Sequence, residues 1–179
     1  MCGRAKLPDD VSEIKLDLKI DFDEIGDYRP RWNAAPTSKL PVVASAAGSR
    51  ILTLMRWGLI PSWAKDSKIG YSTFNARAES LTTRAAFRGA WRAGRRCLVL
   101  ADGYEWRNAD KQPFAIALAN RGPMTLAGLW DEGDRRPARR SNPSPSSPRP
   151  RTHCWRRCMT VCRQSSRQTA GTIGLGKIP

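Results

Sequence analysis

The rhythm of hydrophobic and polar positions changes several times along the chain, and each change marks an element. Residues 5–30 mix acidic and apolar positions, with Val11, Ile14, Leu16, Leu18, Ile20, Phe22 and Ile25 as the apolar set. That mixture predicts a short surface helix and loop with a solvated acidic face. Strand signals follow. Leu40-Pro41-Val42-Val43 and, after a Gly48-Ser49 turn, the run from Ile51 to Trp63 are apolar, partly β-branched and punctuated by Pro and Gly. Arg84, Arg88 and Arg92 recur at i, i+4, which places them along one side of a helix. The stretch from Arg95 to Ala101 reads as a buried strand that enters a turn at Asp102-Gly103 and continues into Tyr104-Glu105-Trp106. Two more strands are expected after the turn at 108–111, over Pro113–Leu118 and Met124–Trp130. The class predicted is α+β, a mainly β single domain with a few helices. Beyond Glu132 the pattern ends, and an Arg-, Ser- and Pro-rich sequence without apolar periodicity predicts an irregular, disordered basic tail over 133–179.

Composition sharpens that division. The 179 residues carry 31 Lys and Arg against 16 Asp and Glu, a formal charge of +15 that suits a polyanionic partner such as nucleic acid. The charge is uneven. Residues 1–133 hold 20 basic against 15 acidic side chains, whereas 134–179 hold 11 against 1, so most of the excess lies in the tail. An apolar content of 40% supports a core for one domain. No stretch has the apolar length of a transmembrane helix, and the first thirty residues lack the apolar run of a signal peptide. A cytoplasmic, nucleoid-associated monomer without membrane contact is therefore expected. In that compartment the five cysteines are free thiols, ligands or nucleophiles rather than disulfides.

The candidate chemistry begins at Met1-Cys2-Gly3-Arg4. Removal of the initiator Met from before the small Cys2 would leave an α-amine and a thiol on one residue. The amine can condense with an aldehyde to an imine, and the thiol can then close a five-membered thiazolidine. An α-amine titrates near ~7.7–8.0 and a free thiol near ~8.5, so both nucleophiles are within reach at neutral pH. A second cluster interleaves arginines with aromatics: Arg77, Arg84, Phe87, Arg88, Trp91, Arg92, Arg95 and Arg96. Guanidinium forks suit phosphates and aromatic faces suit unpaired bases, although a solvated helix face accounts for Arg84, Arg88 and Arg92 as well. Trp32, Trp57 and Trp63 suit core anchors or base-stacking platforms; core packing is the better reading for Trp32 and Trp57, while Trp63, just past Pro61, suits either role equally. Glu105 stands between two aromatics, where desolvation would suit it to general acid or base chemistry; a solvent-facing edge position is the alternative.

Taken together, these blocks resemble the SOS response-associated peptidase (SRAP) family. The matching pieces are Met-Cys-Gly-Arg at 1–4, Asn-Ala-Ala-Pro-Thr at 33–37, Arg-Trp-Gly-Leu-Ile-Pro at 56–61 and Asn-Ala-Arg-Ala-Glu at 75–79. They continue with Arg-Arg-Cys-Leu-Val at 95–99, Ala-Asp-Gly-Tyr-Glu-Trp at 101–106, Lys-Gln-Pro-Phe at 111–114 and Ala-Gly-Leu-Trp at 127–130, so the resemblance covers residues 1–132. It implies that Cys2 captures the ring-opened aldehyde of an abasic site in single-stranded DNA. It further implies that Asn75 orients the reacting groups, that Glu105 moves protons, and that Arg4 and Arg77 hold flanking phosphates. Trp63 and Arg84 are the further DNA-binding candidates, and no metal or cofactor is expected. An N-terminal-Cys hydrolase acting on amides and a non-enzymatic basic DNA-binding module are the alternatives.

Two departures from the family pattern bear on these roles. The family carries two aromatics between the Gly and the Glu, whereas Tyr104 stands alone here, and one residue fewer turns Glu105 to the opposite face of a strand unless a bulge absorbs it. The family's His-Asp-Arg-Met-Pro motif is also absent, and the lone His153 lies in no such context. Joining the third base of each codon to the next two lets Cys158–Arg163 encode that motif, which points to a slipped reading frame near Gly133. A zinc site built from His153, Cys154, Cys158 and Cys162 is the weaker reading, because it needs a helix where helix propensity is poor. Resequencing codons 130–140 is expected to reveal the slip, and a neighbouring frame interrupted by stop codons would contradict it.

Overall fold

The computed structural model describes residues 3–46, 48–120, 122–132, 158–163 and 173–177. Eleven strands and two α-helices are present among them: β1 (Arg4–Lys6), α1 (Ser12–Asp17), β2 (Phe22–Asp23), β3 (Lys39–Ala46), β4 (Ser49–Trp57), β5 (Asn75–Arg77), α2 (Ala85–Arg92), β6 (Arg96–Ala101), β7 (Gly103–Arg107), β8 (Pro113–Leu118), β9 (Met124–Asp131), β10 (Cys158–Arg163) and β11 (Ile173–Lys177). The class is the α+β, mainly β architecture that the alternating pattern predicts. The acidic N-terminal segment resolves into a helix of less than two turns flanked by short strands, with only Ile14 of that helix buried.

The strands form two sheets. The larger runs β2-β4-β3-β6-β9-β10-β5, and an additional parallel pairing of β10 with β4 returns it on itself. Strands β4, β3, β6, β9 and β10 thus make a closed ring, which removes open edges from the centre of the molecule. The smaller sheet runs β1-β7-β8-β11. Strand β6 feeds it directly, since only Asp102 separates β6 from β7.

Packing on the two faces of the ring follows from the alternation of β3 and β4. Leu40, Val42, Met55 and Trp57 are almost wholly buried in one cluster with Ala5, Leu7, Ala34, Val99 and Trp130. Val43, Leu52 and Leu100 meet Val11, Ile14 and Ile25 in a second. The third seats α2 through Phe87 and Ala90 against Leu59, Ala76 and Leu129. Trp57 does more than fill space. Its indole Nε1–H donates to the Phe74 carbonyl at 2.8 Å, and its ring meets Phe74 edge-on at 5.8 Å, which fixes the entry into β5 and hence Asn75. The loop between β4 and β5 is pressed against the end of β4 where Gly58 meets Gly70. Gly58 has φ +122°, and a Cβ there would lie 2.6 Å from the Gly70 carbonyl oxygen, so only glycine fits.

Two differences from the sequence-based expectation stand out. Trp32, expected in the core beside Trp57, is 74% exposed. The loop that carries it is tied to β1 by its backbone, and this points the ring away from the interior. Within the tail expected to be irregular, 158–163 and 173–177 are strands. The edges of β9 and β8 present unpaired N–H and C=O groups, and β10 and β11 satisfy them by antiparallel pairing. Cys158 and Cys162 therefore stand on a strand, not on the helix that the zinc reading needs, while His153 and Cys154 lie outside the described residues.

Tyr28 links the first two core clusters, and its hydroxyl donates to the Pro8 carbonyl at 2.6 Å. Burial, and then the nearby Asp102 and Asp9 carboxylates, push its phenol up to about 12 from an ordinary value of 10.0. The folded-state value is raised, so the stability this group contributes is complete below pH 10 and is lost as pH rises toward 12, where the unfolded chain ionises first. Urea titrations of wild type and Tyr28→Phe are expected to differ most below pH 10, with the gap narrowing between pH 10 and 12. A constant gap would contradict this.

Candidate active site

A cleft of about 410 Å³ opens on the β1–β7–β8 face of the smaller sheet. Its walls bring together Arg4 and Lys6 of β1, Trp32 and Asn33 of the loop between β2 and β3, and Asp102 and Glu105 around the start of β7. The pairing that assembles it is antiparallel and uninterrupted, matching Lys6 with Gly103, Ala5 with Tyr104 and Arg4 with Glu105. Directly opposed residues of such a pair share a face, so Arg4 and Glu105 lie side by side. Ala115 of β8 is the residue opposite Glu105 and forms part of the floor. With Tyr104 as the single residue between Gly103 and Glu105, the carboxylate stands on the face of Arg4.

Each charged group in the cleft has a defined partner. The Arg107 guanidinium donates from Nε to Glu105 Oε1 at 2.6 Å, and the Glu105 side chain is 17% exposed against 53% for Arg107. One carboxylate oxygen is thereby oriented along the strand by its neighbour two residues on. Lys6 Nζ lies 3.0 Å from Asp102 Oδ2 and 4.5 Å from the centre of the Trp32 ring. Arg4 donates from Nη1 to the Asn33 amide oxygen at 3.1 Å. A neutral amide holds that guanidinium, and among the described residues no carboxylate is paired with it, so its charge remains available to an anion.

The residues expected from sequence divide into three groups. Arg4 and Glu105 are brought together in the cleft. Asn75 and Arg77 occupy β5 at the rim of the larger sheet, Asn75 half-buried and Arg77 exposed; Trp63, 58% exposed, stands on the loop before them, and Arg84 is exposed at the start of α2. Cys2 and His153 lie outside the described residues. Lys6, Asn33, Asp102 and Arg107 were not singled out by sequence reasoning for this site, and Trp32 was weighed as a stacking platform only behind a core role. Arg107 carried a usable signal, since strand alternation puts residues 105 and 107 on one face. Lys6 and Asp102 carried none, because their meeting depends on the β1–β7 register, nearly a hundred residues apart in the chain.

Comparison with known proteins assigns the architecture. Residues 1–168 match the family described as SOS response associated peptidase (SRAP). The chain belongs to this family. Among curated relatives, it is 39% identical over 137 residues to the abasic site processing protein YoaM of Bacillus subtilis, covering 74% of this chain and 60% of the relative. It is 37% identical over 175 residues to the abasic site processing protein HMCES of Xenopus tropicalis, covering 73% of this chain and 52% of the relative. The SRAP chain described here thus spans little more than half the length of these relatives. Crystal structures of a protein from Bacteroides thetaiotaomicron (TM-score 0.67, 19% identity, covering 90% of this chain and 67% of the other) and one from Bordetella bronchiseptica (0.64, 18%, covering 99% and 84%) share the fold. No helix among the described residues is long and apolar enough to cross a membrane, and no group of three or more His, Cys, Asp or Glu among them could hold a metal ion.

The floor of the cleft allows a structural test. A Cβ on Gly103 would lie 2.8 Å from the Ile116 carbonyl oxygen, a backbone atom that cannot step aside without moving β8. Gly103→Ala is expected to lower unfolding free energy by about 1–3 kcal/mol, the range for forcing an extra methyl into packed structure. Chemical denaturation checks it, and an unchanged midpoint would show that β7 and β8 approach less closely than described.

Proposed function

We propose that this SRAP chain captures abasic sites in single-stranded DNA covalently through Cys2. The observation that carries the reading is the juxtaposition of Arg4 and Glu105 in one cleft, two residues along the chain from an N-terminal cysteine. The step balances without a cofactor. After Met1 is removed, the Cys2 amine attacks the aldehyde carbon of the ring-opened sugar, and water leaves as the imine forms. The thiolate then adds to the imine carbon, and the nitrogen takes up a proton to complete the thiazolidine.

The residues take roles that suit their chemistry. Glu105, held by Arg107, takes the proton that the nitrogen sheds once the neutral amine has added to the aldehyde, and returns one to the carbinolamine hydroxyl so that it leaves as water. Arg4 clamps a phosphate next to the reacting sugar, and Arg77 and Arg84 extend the phosphate track. The family resemblance assigns the positioning of the sugar to the amide of Asn75, which lies on β5 outside the lining of this cleft. Trp63 offers a ring to an unpaired base. The names of the curated relatives, abasic site processing proteins, support the substrate.

The test mixes purified protein with single-stranded DNA bearing one abasic site and resolves the product on a denaturing gel. A covalent band is expected from wild type and none from Cys2→Ala. Glu105→Gln is expected to slow its appearance by about 10²–10⁴-fold, the usual contribution of a positioned acid or base. A salt-reversible complex that ignores Cys2→Ala would replace this reading with a non-enzymatic DNA-binding module.

A further inference from the structure

Trp32 is the least expected feature of the cleft. An indole buries up to ~250 Å² when packed, yet this one is 74% exposed. It does not hang on a loose loop. Leu7 N–H donates to the Arg31 carbonyl at 2.8 Å, and Ala5 and Ala34 exchange two backbone bonds at 2.9 and 2.8 Å, so β1 grips the chain on both sides of the ring. The next residue, Asn33, is held by Arg4. Lys6 Nζ, 4.5 Å from the ring centre, is itself anchored by Asp102 at 3.0 Å. Trp63 and Tyr71 are also exposed, but neither lines this cleft.

An aromatic face fixed in place beside a guanidinium without a carboxylate partner among the described residues matches the two halves of a nucleotide. The ring suits a base and the guanidinium suits its phosphate. We infer that Trp32 is the platform on which the base next to the abasic nucleotide stacks, while Arg4 takes the adjoining phosphate. This inference rests on the proposed capture of single-stranded DNA and adds to it a specific binding residue. Because the ring is held before DNA arrives, little ordering is left to oppose binding, and stacking tolerates any neighbouring base.

The experiment measures fluorescence anisotropy of short single strands carrying one tetrahydrofuran abasic analogue, which lacks the aldehyde and so reports non-covalent binding alone. Trp32→Ala is expected to weaken binding about tenfold with an unchanged salt slope, and Trp32→Phe to restore most of it. Arg4→Ala is instead expected to reduce the salt slope by about one phosphate contact. A second series removes the base from each neighbouring nucleotide in turn. At one position the wild type should lose about tenfold while Trp32→Ala loses nothing further. Equal binding by Trp32→Ala and wild type, or a penalty that persists whichever base is removed, overturns the inference and leaves the proposed capture standing. Failure of the wild type to bind any of these strands overturns both.

Discussion

The antiparallel pairing of β1 with β7 is the contact on which the site depends, because it joins the first residues of the chain to a strand a hundred residues later. Three pairs of residues suffice, and a second grip from the loop at 31–34 holds β1 from its other side. Ala5 and Leu7 point into the core while Arg4 and Lys6 point into the cleft, so burial of the apolar pair fixes the direction of the charged pair. Two alanine- or leucine-sized side chains bury little area by themselves. Their effect is large because the strand period of two makes any slip of register exchange the two faces.

The electrostatics of the cleft follow from the same register. Lys6 meets Asp102, Glu105 meets Arg107, and Arg4 meets only an amide. The cations of these pairs still reach solvent, which weakens their contribution to stability, so their value lies in orientation. They leave one guanidinium without a carboxylate partner beside one ordered carboxylate, a combination suited to an anionic substrate that must also exchange protons. Asp102 has a second effect through Tyr28 beneath it, whose phenol it helps to keep protonated. The cleft and the core are therefore coupled through one carboxylate.

Much of this was legible in the chain because β structure writes its pattern locally. The alternation in β3 and β4, the Gly48 turn between them and the arginine spacing around α2 each announced an element within a dozen residues. Trp57 was legible as core for the same reason. Trp32 was not, since its neighbours give it no period, and only the bridges from β1 decide that its ring faces solvent. Glu105 was readable as a candidate, but that its face is the one Arg4 occupies emerges only from the uninterrupted pairing of β7 with β1. The strands at 158–163 and 173–177 were missed because they are short segments within an Arg-, Ser- and Pro-rich stretch; they complete the edges of β9, β4, β5 and β8.

The central proposal is that Cys2, two residues before Arg4 in the sequence, forms the bond to DNA, and that no side chain lining the cleft does so. Lys6 is the rival nucleophile, since its amine also lines the cleft. The most direct measurement is peptide mapping by mass spectrometry of the covalent product formed with an abasic oligonucleotide and digested with nuclease. The account predicts a single modified peptide that begins at Cys2, heavier by the sugar fragment less one water and stable without borohydride reduction. A modification on Lys6 that survives only after reduction would contradict it.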